Sequence, residues 1–388
     1  MFAKAANVVL KRLGYKLEKQ SQPQWDTRCV TKSPKGEVRG RVLLAYVLDP
    51  FLPENAAPDS SHTHHGESLL LAQAWLDRGY TVDAIDYLNR AFVPQHNYDY
   101  FISARVFFKQ IASRLNEDCK KIVHLDTSHY AANNRDTYQR VTHLQERRGV
   151  SLIESVRIIE ESNATEAADY ATVLGNYTTS DTYAFTGTPL HNMCVPAVAS
   201  CPRPENKDME ACRNSFIWLG SNGLLHKGLD IVLEAFAQMP ELSLTVCGPI
   251  DREPSFAEHY AHELSLPNVT LFGWIDVASD DFRALAEKSL GLIYPSCREG
   301  QAGAVVNCAS VGLIPIISKE SGVDTLEFGE TLANCKVETV CQQLRKLSAE
   351  PAERLLERTC DTWDYAQNNF TSEAYRRRYD EILDELLL

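Results

Sequence analysis

Two short segments in the C-terminal half join an apolar run to a glycine-rich turn that carries charged residues. The first, Leu219–Asp230, reads LGSNGLLHKGLD and places Gly220, Ser221, Asn222 and Lys227 between a predicted strand and a predicted helix. Glycines let a ligand approach the backbone, a helix N-terminus favours anions, and a lysine adds a full positive charge. The segment therefore predicts a diphosphate site, with a plain turn and a solvent-facing lysine as the alternative. It fits neither a Walker A loop nor a dinucleotide fingerprint, which disfavours an ATPase or a dehydrogenase.

The second segment, Tyr294–Asn307, reads YPSCREGQAGAVVN. An apolar strand delivers Arg298 and Glu299 to its carboxyl end, and Gly300 and Gly303 allow tight backbone geometry before a helix begins. A carboxylate accepts hydrogen bonds from sugar hydroxyls, and the N–H groups at a helix start can donate to them. The pattern favours a ligand site over the alternative, an exposed loop glutamate.

Histidines mark two places in the N-terminal half. His62, His64 and His65 lie in a loop before a predicted helix, where they are expected to line the acceptor side of a cleft. No carboxylate or cysteine pattern accompanies them, so a metal site is not expected.

A second set of polar residues follows the predicted strand Lys121–Leu125. His124, Asp126 and His129 lie at its carboxyl end and are expected to point toward the same cleft. The sequence does not decide which of the three reaches it, and a buried structural histidine is the alternative.

The elements that must position these residues alternate between strand and helix. Such alternation predicts an α/β fold of two doubly wound domains, with ligands in the cleft between the carboxyl ends of their sheets. Helices are predicted over Glu67–Arg78 and in the polar region 130–165, and the charged, proline-containing segment Pro202–Asn214 marks the domain boundary. The predicted strands are Arg41–Leu48, Thr81–Asp86, Tyr98–Ile102, Lys121–Leu125 and Ala168–Leu174, then Phe216–Leu219, Leu242–Cys247, Val269–Phe272, Leu290–Tyr294 and Leu313–Ile317.

Composition excludes several classes of protein. The 388 residues carry a net charge of −13, which argues against a general nucleic-acid binder because phosphate-backbone affinity comes from clustered Lys and Arg. The 11 cysteines form no C-x-x-C pair, so a reducing, cytoplasmic setting is expected. No apolar run approaches the roughly 20 residues that span a bilayer. The basic N-terminal segment, residues 1–19, is interpreted either as a surface helix or as a loose contact with anionic lipid.

Five motifs in residues 215–330 resemble the C-terminal domain of the retaining, family 4-type glycosyltransferases of the GT-B fold. They are the Gly220–Gly228 turn, Val246–Pro249, Leu271–Trp274, Tyr294–Gly300 and Gly312–Ser318, and they match that family in order and spacing. The resemblance implies three parts: an acceptor domain over residues 1–205, a Rossmann-like nucleotide-sugar domain over 206–365, and a C-terminal helix, 366–388, that packs back on the first domain.

The resemblance also implies residue roles. Lys227 is assigned to the donor diphosphate and Glu299 to the donor sugar hydroxyls, and a histidine near the strand end, His124 or His129, is assigned to the reacting sugar. Asn222 replaces an arginine usual in the family, so either another group such as Arg298 neutralises the diphosphate or activity is reduced or absent. Asn307 replaces a glutamate that holds the ribose hydroxyls in the family, and an asparagine can still hydrogen-bond them. The full donor set is Gly220, Ser221, Asn222, Lys227, Gly248, Pro249, Trp274, Ile275, Arg298, Glu299, Gly300, Gln301, Ala302, Gly303 and Asn307. The backbone amides of Gln301, Ala302 and Gly303 are expected near the sugar or phosphate, and the loops around Gly248, Pro249 and residues 273–275 are expected to flank the base.

The activity that the resemblance implies is that of a retaining hexosyltransferase. The donor is a nucleotide diphosphate sugar of UDP, GDP or ADP type, no metal is expected, and the acceptor is a glycan, a lipid-linked glycan or a protein. The cleft is expected to close on the donor. Two alternatives stay open: a non-catalytic glycosyltransferase-like subunit, and a sugar-nucleotide epimerase or phosphorylase on the same fold.

Overall fold

The structure, a computed structural model, describes residues 26–53 and 63–387. The basic segment 1–19 and His62 lie outside the described residues. The chain forms two sheets, and a cavity lies where their carboxyl ends meet.

The first sheet has seven strands in the order β1-β3-β2-β4-β5-β6-β7. Its neighbouring strands are parallel except at one edge, where β1 pairs antiparallel with β3. The central strands are continuous apolar runs because helices cover both faces of a parallel sheet. These strands are β1 Cys29–Lys32, β2 Gly40–Tyr46, β3 Tyr80–Asp86, β4 Tyr100–Ala104, β5 Lys120–Leu125, β6 Tyr170–Leu174 and β7 Leu190–Met193.

The second sheet has six parallel strands in the order β10-β9-β8-β11-β12-β13. They are β8 Ser215–Leu219, β9 Ser243–Cys247, β10 Val269–Gly273, β11 Gly291–Tyr294, β12 Ile314–Ser318 and β13 Glu330–Leu332. Together the two sheets confirm the predicted α/β architecture of two parallel-sheet domains. Strands β1, β7 and β13 are additions, so the prediction that the strand ending at Leu174 is the last of the first half was wrong.

Thirteen α-helices lie within the described ranges, and none of them is both long and apolar enough to cross a membrane. They are α1 Thr63–Asp77, α2 Phe108–Ala112, α3 Tyr130–Arg148, α4 Tyr177–Ser180, α5 Met209–Cys212, α6 Leu229–Phe236, α7 Pro254–His259, α8 Ala261–Leu264, α9 Asp280–Glu287, α10 Gly303–Ala309, α11 Val337–Ser348, α12 Ala352–Asn369 and α13 Ser372–Leu386.

The helix predicted across residues 130–165 is shorter than expected. It begins after His129, whose ring accepts a hydrogen bond from the Ala131 amide, and ends at Gly149, where φ is +71°. A glycine adopts this left-handed conformation without steric cost, so it closes the helix. The chain from 150 to 165 is then mostly irregular, with two short 3₁₀ turns.

Helix α3 connects strands of the first sheet but packs on the second domain. Val141 and Leu144 lie in the same hydrophobic core as strands β8 and β11. Asp230, at the start of α6, accepts from Arg140 at 3.4 Å and from Arg147 at 2.6 Å, and its side chain is fully buried. The helix is therefore bound to the second domain by both apolar packing and buried ion pairs.

The last helix, α13, packs on the first domain. Its Tyr379 hydroxyl accepts a hydrogen bond of 3.0 Å from the Trp75 indole of α1, and both side chains are buried. Arg78, at the end of α1, pairs with Asp380 and Asp384 of the same helix. The chain thus returns to the first domain after completing the second.

Arg140 offers a test of the contact between α3 and the second domain. Removing Arg140 takes one of two cations from the buried Asp230, and a buried acceptor that loses its donor costs about 1–3 kcal/mol. We expect Arg140→Ala to lower the free energy of unfolding by this amount, measured by urea denaturation. Arg135→Ala, on the same helix at a side chain that is 69% exposed, is the control and should cost less than about 1 kcal/mol. Equal midpoints for the two variants would contradict the packing described here.

Candidate functional site

A cavity of about 540 Å³ lies between the carboxyl ends of the two sheets. The second domain supplies the turn after β8, the loop after β11 and the start of α10. The first domain supplies the ends of β5 and β6, residue His64 and the irregular segment after α3. Many residues of the predicted donor set are therefore brought together: Gly220, Ser221, Asn222, Lys227, Trp274, Ile275, Glu299, Gly300, Gln301, Ala302, Gly303 and Asn307 all line it.

Glu299 is the centre of the polar wall. One carboxylate oxygen accepts from Lys227 Nζ at 3.2 Å, from the Tyr294 hydroxyl at 2.9 Å and from Ser296 Oγ at 3.0 Å. The other oxygen accepts from Arg157 at 3.2 Å. Burial alone would raise the pKa of Glu299, but the two cations outweigh it and hold the pKa below its usual range. Glu299 is therefore ionised at neutral pH.

Lys227 is a buried cation held against this carboxylate. Its ammonium group also donates to the Tyr294 hydroxyl at 3.0 Å. Burial lowers the pKa of Lys227, and the nearby Glu299 offsets part of that effect. The lysine stays close to Glu299 because neither charge has enough water around it to stand alone.

The glycine-rich turn is built differently from the expectation. Gly223 adopts φ +90°, and its amide donates to the buried carboxylate of Glu253 at 2.5 Å. The Leu224 amide donates to the same carboxylate at 3.2 Å. These two amides are therefore committed to the protein, and a ligand must rely on other groups of the turn. Glu253 follows β9, and no sequence motif singled it out.

The start of α10 differs in a similar way. The Ala302 amide, predicted to face sugar or phosphate, donates to Ser321 O at 2.9 Å. Gln301 uses its side-chain oxygen to accept from the Val195 amide at 2.5 Å. The residues line the cavity as predicted, but part of their hydrogen-bonding capacity holds neighbouring loops in place.

Asn307 is occupied by the chain that links the two domains. Its side-chain oxygen accepts from the amides of Val198 and Ala199, each at 2.8 Å, and its side-chain nitrogen donates to Gly303 O. Both acceptor positions of the amide oxygen are thus used. The expectation that Asn307 can accept from a ribose hydroxyl does not fit this arrangement, although the residue lines the cavity.

Arg298 turns away from the cavity. Its guanidinium donates to Asp136 of α3 at 2.5 Å, and the residue is 6% exposed. The expectation that Arg298 supplies the missing positive charge is therefore wrong. Arg157 lines the cavity instead, and it was missed because a lone arginine between apolar residues carries no motif.

Gly248 and Pro249 do not line the cavity. A Cβ atom at Gly248 would lie 2.7 Å from Gly220 O, so this glycine lets the turns after β8 and β9 pack together. Trp274 and Ile275 of the following loop do line it, and Trp274 is 60% exposed. Of the residues predicted to flank a base, these two have the placement for it.

Neither His124 nor His129 lines this cavity, contrary to the expectation for the strand end. His124 is fully buried beneath it, with Nδ1 2.7 Å from Thr172 Oγ1. His129 caps α3 and lies against the rings of Tyr183 and Phe185. Asp126, the third member of the set, is the residue of β5's end that reaches the cavity.

His64 also reaches the cavity from the first domain. Its Nδ1 contacts the buried carboxylate of Glu67, and the Tyr46 hydroxyl lies 2.8 Å from the same nitrogen. Burial opposes protonation of His64, but Glu67 raises the pKa of the imidazole. Within ranges 26–53 and 63–387, no group of three or more His, Cys, Asp or Glu is arranged to hold a metal ion.

The second domain matches a family model with the description "Glycosyl transferases group 1" over residues 213–350. The second domain is therefore similar to the group 1 glycosyl transferases. None of the curated protein sequences matches the chain significantly.

Solved structures extend the likeness to the fold of the whole chain. Sucrose-phosphate synthase from Thermosynechococcus elongatus aligns with a TM-score of 0.61 at 15% identity, covering 90% of this chain and 99% of that one. Trehalose 6-phosphate synthase from Burkholderia multivorans aligns at 0.57 and 10% identity over 90% and 99%. Anabaena HepE, in complex with UDP and glucose, aligns at 0.56 and 11% identity over 89% and 100%. The fold of both domains is GT-B.

His226, next to Lys227, supports a prediction on pH. Burial lowers the pKa of its imidazole to about 4, with Lys227 and Arg157 adding to the effect and Glu299 opposing it. The folded pKa lies below the ordinary 6.5, so the unfolded chain binds the extra proton first and stability falls as pH drops from 6.5 to 4. The loss is about 3 kcal/mol at most.

His226→Asn removes this titration. We expect the free energy of unfolding of the variant to change less between pH 7 and pH 4.5 than that of the wild type, measured by urea denaturation at both pH values. The difference between the two pH values is the readout, so a constant destabilisation of the variant does not affect it. The same pH dependence in both proteins would contradict a buried, neutral His226.

Proposed function

We propose that the protein is a retaining glycosyltransferase that moves a sugar from a nucleotide diphosphate sugar to an acceptor hydroxyl. The observation that carries the proposal is the buried pair of Lys227 and Glu299, which faces a cavity between the two domains. A carboxylate held ionised suits hydrogen bonds from sugar hydroxyls, and a buried ammonium suits the phosphate that leaves.

The proposed reaction is catalysed mainly by electrostatic stabilisation of the leaving group. Bond cleavage at the anomeric carbon leaves negative charge on the diphosphate, and a fixed cation in a site with little water stabilises that charge. Lys227 is already held in place by Tyr294 and Glu299, so no reorganisation is needed when the charge develops. Positive side chains thereby supply what a metal ion supplies in other transferases.

The orientation of the donor follows from the two walls. Glu299 and Lys227 fix the sugar and phosphate end, and Trp274 and Ile275, farther along the cavity, offer apolar surface for a base. Asp126 and His64 belong to the first domain and are placed for the acceptor side. The complex of HepE with UDP and glucose supports a donor of this class, and retention is inferred from the motifs shared with the family 4-type enzymes.

The first test is a thermal-shift and calorimetric titration with UDP, GDP, ADP and their common sugars. A ligand at 100 times its Kd stabilises the folded state by about 2.7 kcal/mol. We expect one nucleotide to stabilise the wild type, and its affinity to fall about tenfold to a hundredfold in Lys227→Met, since a charge-assisted hydrogen bond contributes about 1.5–3 kcal/mol.

Controls separate binding from folding. Lys227→Met/Glu299→Gln removes both charges together and leaves no buried ion without its partner, while Lys346→Ala on the exposed face of α11 should bind like the wild type. Binding by the wild type that survives in the double variant would move the donor site elsewhere.

The products of turnover distinguish the remaining candidate functions. Release of the nucleotide with a new α- or β-glycoside, identified by NMR, distinguishes retention from inversion once the donor is known. Interconversion of the donor sugar without an acceptor, as distinct from its hydrolysis, would favour an epimerase, and a reaction that requires phosphate would favour a phosphorylase. Absence of nucleotide binding would place the non-catalytic subunit first, a reading favoured by Asn222 and by the committed amide of Asn307.

A further inference from the structure

We propose that Arg157, carried by the first half of the chain, is the second cation of the diphosphate site in the second domain. This inference rests on the proposed function and deepens it. Arg157 lies in the irregular segment after α3, and its side chain crosses to the turn that carries Lys227.

The charges around the cavity call for such a group. Its lining includes two acidic side chains, Asp126 and Glu299, and two basic ones, Lys227 and Arg157. A diphosphate adds at least two negative charges. With Lys227 alone, and that lysine already bound to Glu299, the phosphate groups would enter an electrostatically unfavourable site. Arg157 offers a planar fork of donors that suits phosphate oxygens better than a second lysine would.

The guanidinium of Arg157 has N–H groups that can donate to a ligand. Glu299 Oε2 is the sole hydrogen-bond partner of its guanidinium among the residues that the structure describes, through one nitrogen at 3.2 Å. The side chain is 49% exposed, so the remaining donors can reach a ligand without prior burial cost. When a diphosphate binds, Arg157 can bridge it to Glu299, which leaves the other carboxylate oxygen with Lys227.

The position of Arg157 is built into the fold. Its carbonyl accepts from Asn133 of α3 at 2.9 Å, and Asn134 exchanges two hydrogen bonds with Ile159, at 2.8 and 2.9 Å. On the other side, the His226 amide donates to Ser155 O at 3.1 Å. The turn that carries Lys227 therefore holds the segment that carries Arg157.

Gly223 provides the passage for this side chain. A Cβ atom at Gly223 would lie 3.1 Å from Cγ and 3.3 Å from Cδ of Arg157. Any larger residue would push the arginine out of its path, quite apart from the strain at φ +90°. The glycine thus lets an arginine from the first half of the chain lie across the donor turn.

Asn222 makes the inference testable by exchange. It lines the same cavity, five residues before Lys227, and is exposed. An arginine introduced there can direct a guanidinium into the cavity from the second domain itself. In the Arg157→Ala variant, the further substitution Asn222→Arg should therefore restore the affinity for the diphosphate.

The experiment compares wild type, Arg157→Ala, Arg157→Lys, Asn222→Arg and Arg157→Ala/Asn222→Arg. Each is titrated calorimetrically with the nucleoside diphosphate that binds the wild type, with the matching monophosphate and nucleoside, and with inorganic pyrophosphate. Arg354→Ala, which removes a surface partner of Glu357, is the matched control.

We expect Arg157→Ala to weaken the diphosphate and pyrophosphate about tenfold to a hundredfold and to leave nucleoside affinity within about twofold. The diphosphate affinity of Arg157→Lys should lie between those of the wild type and Arg157→Ala. The double variant should bind the diphosphate at least about tenfold more tightly than Arg157→Ala. A purely structural role would weaken the nucleoside as well, and Asn222→Arg would not rescue it.

The outcomes separate this inference from the proposed function. If the wild type binds the diphosphate and Arg157→Ala binds it within about twofold, the inference is overturned while the proposed function stands. Equal loss of nucleoside and diphosphate affinity, or failure of rescue, also overturns it. If the wild type binds neither nucleotide nor pyrophosphate, both proposals fall together.

Discussion

The site depends on one constraint, the burial of an ionised carboxylate at Glu299. A buried charge is tolerated only when it is paired and fully hydrogen-bonded, and Glu299 has four partners from three parts of the chain. The loop after β11, the turn after β8 and the segment after α3 must therefore meet at this point. Moving any one of them removes part of the compensation for this charge, so the electrostatics of the site depend on the placement of its loops.

Helix α3 holds several of these loops in place. It starts at the end of β5 in the first sheet, yet its apolar face packs into the core of the second domain. Arg140 donates to Leu225 O and Pro295 O, which lie in the two loops that carry Lys227 and Glu299. Ser128 and Thr179 of the first domain donate to Glu299 O and Gly300 O at 2.5 and 2.6 Å. The two domains thus meet at the site itself.

The sequence predicted the parts of this structure that depend on local pattern. Alternating strands and helices predicted both parallel sheets, and glycines after apolar runs predicted that the turns holding Lys227 and Glu299 would meet in the cleft. Strand β1 was missed because it is polar and lies at an edge, and β13 because it has three residues. Arg157 and Glu253 could not be predicted, since each reaches the site from a distant part of the chain through tertiary packing alone. Side chains alternate between the two faces of β5, and His124 is buried near the end of this strand. The spacing of the histidines in the sequence did not indicate this burial.

The packing of α3 has a consequence for how chains of this architecture can be recombined. An exchange of the first domain with that of a relative could be made at the linker between the sheets, near residue 205 here. Such a cut would carry away α3 together with the residues that compensate Asp230, Glu234 and Glu263. A chimera made at that boundary would inherit a second domain with an exposed apolar groove and three carboxylates deprived of their arginines. The unit that is exchangeable in this protein is not contiguous in the chain, because the second domain packs with residues 130–159 as well as with those after the linker.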